Sequence, residues 1–461
     1  MTRVPSLPAD GGGLASLLPR KVVLPGQDGW DQACRAWQLQ VELRPAAVVF
    51  PELASDVAIA VRFAAERGLR VTAQGTGHNA SALGALEDVI LIKTERMRRV
   101  VIDVGAHVAR VEAGVRAAEL AEASARYGLA TVSGTSSGVG VVGYTLGGGI
   151  GVLSRRFGLA SEHVRVIELV TADGQMVRAD HEHAPDLFWA VRGGGGSFGI
   201  VTALELELLP LTHAYAGTLW FPRERAGEVL HAWHEVIEAN PPDELTTMAR
   251  LLSFPPIPDV PEPVRGKSFV VVHVYHAGEP EQADRLLARL RALQPITDSL
   301  ELVTMPALSS VHMDPDRPVP AVGDGLMLAE LPSEAVDALL DAVGPQLATL
   351  ELRHLEGELA RDRSGSGALS SIPAKHVVFT GGFAPTPNLT APIEEQIEAV
   401  KHSLAPWTTR YMHLNFADSR RSPGSFWTEA AYRRLQQIKT AVDPRDRILE
   451  SVDSTGRGRC G

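Results

Sequence analysis

Between Thr131 and Arg156 the chain reads TVSGTSSGVGVVGYTLGGGIGVLSRR, with eight glycines in 26 residues. Glycine loses more backbone freedom on folding than any other residue. Such a run persists where backbone must pass close to something or take positive φ. Short hydroxyls (Thr135, Ser136, Ser137, Thr145) stand among the glycines and can donate to phosphate or carbonyl oxygen. One loop of this kind reads equally well as a tight turn after the short apolar strand before it. Two more occur, Gln74-Gly75-Thr76-Gly77-His78-Asn79 upstream and Gly193 to Gly199 downstream. Three together point to one large, phosphate-bearing ligand.

A chain of 461 residues has room for two or three domains. The net charge of −11, with no basic cluster on one face, argues against a nucleic-acid surface. Apolar runs are of strand length, so no membrane-spanning helix is expected. Met1 to Arg20 lacks the basic start and apolar core of a signal peptide. Cys34 and Cys460 are too few and too far apart for a disulfide framework, which makes a reducing cytoplasm the default compartment.

The opening residues, with Pro5, Pro8 and Gly11 to Gly13, begin loosely, and a helix is expected from Trp30 to Gln38. A short buried strand over Ala47 to Pro51 leads to a helix from Val57 to Arg67, capped by Ser55 and Asp56 and closed by Gly68. Leu69 to Ala73 is a strand that delivers the chain into the first glycine loop, an α/β arrangement. Further strands are expected at Val89 to Lys93, Val100 to Asp103, His107 to Glu112, Val164 to Thr171, Gln175 to Arg178 and Ile200 to Leu208. A helix spans Ala117 to Tyr127, and Pro210 marks a boundary. Beyond it, strands such as Ala216 to Phe221 and Ser268 to Tyr275 alternate with helices such as Glu224 to Glu238 and Pro280 to Ala292. This reads as a mixed domain on an antiparallel sheet. A last strand, Arg410 to Phe416, precedes a helix from Trp427 to Val442.

Several familiar chemistries fail on spacing. Gly134-Thr-Ser136-Ser-Gly138 matches the hydrolase elbow, but that motif must lead into a helix, and Val-Gly-Val-Val-Gly follows. Gly147-Gly-Gly149-Ile-Gly151 lacks the third glycine of a dinucleotide fingerprint, and no GK[ST] is present. His181/His183 and His231/His234 join no ligand cluster, so no metal site is expected. His78 stands apart. At the tip of a glycine turn its ring has no apolar face to fill. It is either a loop histidine bonded to backbone or a neutral imidazole presented as nucleophile or ligand.

Three segments carry a family resemblance: QGTGHN at 74 to 79, GVGVVGYTLGGGIGVLSRRFGLASEHV at 138 to 164, and DLFWAVRGGGGSFGIVT at 186 to 202. Together they resemble the berberine-bridge-enzyme-like FAD-linked oxidases of the vanillyl-alcohol oxidase superfamily. The resemblance implies an α+β fold: a two-part PCMH-type FAD-binding domain over 1–210 (core 44–210), a substrate domain over 211–409 with an antiparallel sheet flanked by helices, and a C-terminal segment, 410–461, that folds back. It implies FAD bonded covalently to His78, with Gln74, Gly75, Thr76, Gly77 and Asn79 cradling pyrophosphate by backbone N–H groups. Ser136, Ser137, Gly138, Gly140, Val141 and Gly143 would run along the cofactor, with Gly148, Gly149, Gly199, Ile200 and Val201 also at it.

The sequence departs from its relatives in three places. Many relatives carry a second attachment through a cysteine where Ser136 stands, and serine forms no thioether, so a single link is expected. The family's Tyr-x-Asn appears as His413-Leu414-Asn415, preceded by Tyr411, and alternation along a strand would put 411, 413 and 415 on one face. Glu450-Ser-Val-Asp453 replaces the usual closing asparagine-rich motif. The reaction expected is hydride transfer from a carbon next to an alcohol or amine of a small molecule to the flavin, with O₂ as acceptor giving H₂O₂. His413 is the first candidate base and Tyr411 the second. Asn415 orients a polar group, and Tyr144 either faces the flavin or packs the core. Arg353, His354, Glu356 and His376 are polar residues in plausible places. The alternatives on the same sequence are a flavin monooxygenase-like enzyme, an idle FAD-binding protein and the serine hydrolase.

Overall fold

A computed structural model describes residues 13–84, 86–419 and 421–449. Pro5, Pro8, Gly11, Gly12, the segment 450–453 and Cys460 lie outside the described residues. Three sheets organise the rest. The first has four strands: Ala47–Val49, Val89–Lys93 and Arg70–Gln74 pair in parallel, and Val22–Val23 pairs antiparallel with Ala47–Val49. Every residue of Val89–Lys93 is buried, which accounts for its nearly unbroken apolar run. The second is an antiparallel sheet of five: Val100–Asp103, Val108–Glu112, Ile200–Glu207, Val164–Val170 and Met176–Ala179, in that spatial order.

The third sheet has eight antiparallel strands, among them Leu245–Ser253, Thr349–His354, His376–Phe383 and Ala321–Leu328 as successive neighbours. Its two faces separate by strand alternation. Ala249, Leu251, Leu350, Leu352 and Val378 bury against the helices Ala226–Glu238, Ser333–Ala342 and Thr390–Leu404. Arg250, Leu252, Thr349, Glu351, Arg353 and Phe379 face the other way, into a large cavity. The α+β class expected from the sequence holds. Among the described residues no helix is long and apolar enough to cross a membrane.

The chain end closes on its beginning. Leu449 N donates to Val71 O and Val71 N to Arg447 O, each at 2.8 Å, which pairs the exposed edge of the first sheet. In the helix Glu429–Val442, Lys439 Nζ reaches Asp443 at 2.6 Å, Ser197 O at 2.8 Å and Ile448 O at 2.9 Å. One buried ammonium thus ties the third glycine loop to the segment just after the helix.

Several local expectations are corrected. No strand forms over 410–416: a 3-10 turn, Leu414–Phe416, replaces it, with His413 Nδ1 accepting the Asn415 N–H at 3.2 Å. A side-chain acceptor has taken the place of a ladder partner. The Val-Gly-Val-Val-Gly stretch does enter a helix, Val141–Leu146, because burial of Val141, Val142 and Thr145 outweighs weak propensity. Before the glycine run there is only an isolated bridge, Ala130 to Leu209, and no strand. The first-sheet helix starts earlier, at Ala54, and Asp56 sits inside it, accepting the N–H groups of Glu52 and Leu53. The helix at Trp30 stops at Cys34, and the one from Pro280 breaks at Leu287.

Candidate functional site

All three glycine loops open on one cavity of about 1400 Å³, roofed by the polar face of the large sheet. Its volume exceeds the roughly 300–1,000 Å³ usual for small-ligand clefts. Gln74 to Asn79 line it without a gap, as do Ser136, Gly140, Val141, Gly143, Tyr144, Gly199, Ile200 and Val201. Thr135 joins them, as do Gly195 and Gly196 of the third loop and Leu449, the last described residue.

Four of the expected cofactor residues pack behind the lining instead. Ser137 O accepts the N–H of Ala118, and a Cβ on Gly138 would meet Trp37 at 3.1 Å. Gly148, at φ +109°, leaves room for the His413 ring, and Gly149 donates its N–H to Asn415 Oδ1 at 3.1 Å. These glycines serve close packing of the turn on its neighbours.

His78 is held on two sides. Its Nδ1 lies 2.8 Å from Thr76 Oγ1. The ring stacks on Trp37, centroids 4.3 Å apart and planes at 19°. Its Nε2 is buried and without a hydrogen-bond partner. Burial pushes the imidazole down to about 4, with the Asp314 carboxylate opposing and Arg116 adding to the shift. It is therefore neutral at pH 7. Gln74 Oε1, Asn79 Oδ1 and Tyr144 OH are likewise buried without partners. Buried polar atoms are ordinarily bonded, so this set around one cavity fits a polar group that the bound ligand supplies. FAD, with its ring, ribitol and pyrophosphate, is of the right size and polarity.

The expected catalytic set does not assemble. His413 is 2% exposed, lies behind Gly148 outside the cavity lining, and is pushed down to about 3 by burial and by the Arg353 charge. Tyr411 is half-buried, bonded to the Arg410 guanidinium, and also outside the lining. With no extended strand, the face that was to carry 411, 413 and 415 does not exist. Asn415 alone of the three lines the cavity. Tyr144 lines it as well, its hydroxyl raised by desolvation and lying against Gly151, while its ring fills the space left by Gly134 and Gly149. His354 and His376 stack 5.7 Å apart, likewise outside the cavity lining. Ser136 makes no hydrogen bond to a histidine among the described residues, so the hydrolase reading has no base.

Of a charged group on the roof, only Arg353 carried a sequence expectation. Glu351 accepts from Arg353 Nε at 2.8 Å and pairs with His312 Nε2 at 2.6 Å, and His312 Nδ1 lies 2.7 Å from Asp314. Arg250 is the cross-strand neighbour of Glu351. Glu351 and Arg353 share one strand, Arg250 comes from its neighbour, and His312 and Asp314 come from a loop, so the group meets only in the assembled sheet. Asp418, after the 3-10 turn, also lines the cavity, and its carboxyl is pushed up to about 7 by desolvation and then by the Asp324 charge.

Residues 45–180 match the family model described as an FAD binding domain. Over 283 residues the chain is 33% identical to (R)-6-hydroxynicotine oxidase of Paenarthrobacter nicotinovorans, a match covering 61% of this chain and 60% of that one. Two further FAD-linked oxidoreductases match over 49% and 47% of their length, so the chain spans about half to three fifths of these relatives. The crystal structure of 6-hydroxy-D-nicotine oxidase from Arthrobacter nicotinovorans superposes with a TM-score of 0.83 at 23% identity, covering 94% of this chain and 97% of that one. Berberine bridge enzyme from Eschscholzia californica superposes with a TM-score of 0.82 at 19% identity, covering 97% and 99%. The two structures establish the fold. Residues 45–180 are thus similar to an FAD binding domain, and the chain around them shares the fold of 6-hydroxy-D-nicotine oxidase and berberine bridge enzyme.

Proposed function

We propose that this chain is an FAD-linked oxidase acting on an alcohol or amine carbon of a small molecule, with the cofactor bonded once, to His78. The observation that carries the reading is the neutral His78 ring, its Nε2 unpartnered, in a cavity ringed by three glycine loops. Bound FAD would supply the redox chemistry, accepting hydride from the substrate carbon and returning the electrons to O₂ as H₂O₂. The protein would hold, shield and orient. Ser136 at the place of the relatives' cysteine leaves His78 as the single attachment. The name of the 6-hydroxynicotine relative supports an amine-bearing substrate as the first class to test.

The substrate's O–H or N–H proton needs an acceptor whose affinity is matched to the working pH. Asp418, lining the cavity with its carboxyl near 7, meets that condition. His413 does not, since a ring held near 3 and walled off by Gly148 cannot take a proton from the cavity. Asn415 and Tyr144 would orient substrate polar groups, and the Glu351–Arg353–His312 group would fix the roof against water and substrate.

The test is acid precipitation of purified protein. Wild type should keep its yellow colour in the pellet, and His78→Ala should release it to the supernatant. Wild type that releases all its flavin ends the covalent reading, and a product that gains an atom of ¹⁸O from ¹⁸O₂ ends the oxidase reading.

A further inference from the structure

Two proline-rich loops hold apolar side chains in water beside the cavity. Residues 254–263 carry five prolines and 313–320 carry three, and members of both stretches line the cavity. Proline fixes φ, so neither loop readily folds its side chains back on itself. Phe254 anchors the first loop, its ring edge-on to Phe269 with centroids 6.2 Å apart. Arg265 stitches that loop, donating from Nε to Val260 O at 2.9 Å and from Nη2 to Pro258 O at 3.0 Å. An ion pair of 2.7 Å, Arg317 to Asp259, joins the two loops. Ile257 is 48% exposed, Met313 43%, Phe383 40% and Leu389 38%, and all four line the cavity. Being exposed and part of the lining at once, they mark its mouth. Apolar side chains gathered in water and rimmed by polar groups mark a binding surface.

We propose that these loops form an outer subsite for the hydrocarbon part of the substrate, aromatic or alkyl, whose alcohol or amine carbon enters the cavity ahead of it. The inference rests on the oxidase reading for the reacting end and names the substrate class: an amphiphile with an apolar body, not a saccharide. A sugar ring, with hydroxyls all round, would lose hydrogen bonds to water against Ile257, Met313 and Phe383 and gain none there. An alkyl or aryl group gains from the same contact. The prolines have already removed motion that binding would otherwise have to still. Polar lining residues such as Asn415 and Asp418 are left to the reacting end.

The test titrates the holoenzyme, without air, with n-alkyl amines and n-alkyl alcohols from butyl to decyl and with cellobiose. The shift of the flavin's visible band reads binding, and its bleaching reads oxidation. Each added methylene should tighten binding about fourfold until the mouth is filled, the gain expected for burying one such group. Ile257→Asp should shrink the ratio of decyl to butyl affinity about tenfold, with the flavin spectrum unchanged. Affinity flat along both series, cellobiose bound more tightly than the decyl compounds, or an unchanged ratio in Ile257→Asp overturns the subsite. Chain-length dependence without bleaching supports the subsite and overturns the oxidase reading, and bleaching with flat series does the reverse. Flat series with flotation on phosphatidylcholine vesicles, or with a doubled mass in solution, overturn the subsite and give the mouth to a membrane or a second copy.

Discussion

The indole of Trp37 lies against the imidazole of His78, ring centroids 4.3 Å apart and planes nearly parallel at 19°. Aromatic pairs in such geometry contribute about 0.5–1.5 kcal/mol beyond area burial. Trp37 sits past the end of the Trp30–Cys34 helix, where its backbone N–H reaches Thr76 O at 3.0 Å. Trp37→Ala removes both the stack and the wall behind Gly138. Because the ring is only half-buried, this should lower unfolding stability by about 0.5–3 kcal/mol, less than the cost of deleting a core ring. The covalent share of flavin should fall with it, and Trp37→Phe should recover most of both. Urea midpoints and gel fluorescence read these separately, and a wild-type midpoint in Trp37→Ala would show that the ring packs nothing.

Asp418 gives the reaction a pH signature. As a base it works only when deprotonated, so kcat/KM should rise through about pH 7 and level off above it. Asp418→Asn should cost about 10²–10⁴ in kcat and abolish that inflection, with the flavin spectrum unchanged. Retention of the inflection in Asp418→Asn would assign it to another group.

Lys439 offers a stability test remote from the chemistry. Its ammonium is enclosed by Asp443, Ser197 O and Ile448 O. Lys439→Met strands the buried carboxylate and should destabilise by about 3–5 kcal/mol. The double variant Lys439→Met, Asp443→Leu should recover part of that. Additive losses in the urea midpoints would deny the coupling.

Acid sensitivity follows from the buried histidines. His376 and His413 are pushed down to about 3 and His78 to about 4, chiefly by burial, against about 6.5 in an unfolded chain. The folded state therefore favours the neutral rings. Their contribution is fully present above about pH 6.5 and drains away as pH falls toward 3. The urea midpoint should drop steadily from pH 6.5 to 4.5, with proton uptake on unfolding. A flat midpoint over that window would mean the rings stay wet.

The three glycine loops were legible because their composition is costly anywhere else, and each one reaches the cavity. Most strands were legible from their apolar runs. What escaped has physical causes. Arg250, Glu351, His312 and Asp314 come from separate segments and become neighbours only through sheet register and a loop. Asp418 acquires its shifted carboxyl from burial, which a sequence does not display. The expected strand over 410–416 misled because alternation and a 3-10 turn both place residues two and four apart plausibly. Only the His413–Asn415 hydrogen bond decides between them. Gly148 and Gly149 were read as cofactor backbone when their missing side chains serve His413, Tyr144 and Ala160.

Val71 borrows its edge partners from Arg447 and Leu449, and Leu449 also floors the cavity. The glycine loops are therefore complete in the chain well before the residues that close the cavity's floor. A stop codon even a few positions before Leu449 would yield a colourless protein with every glycine loop intact.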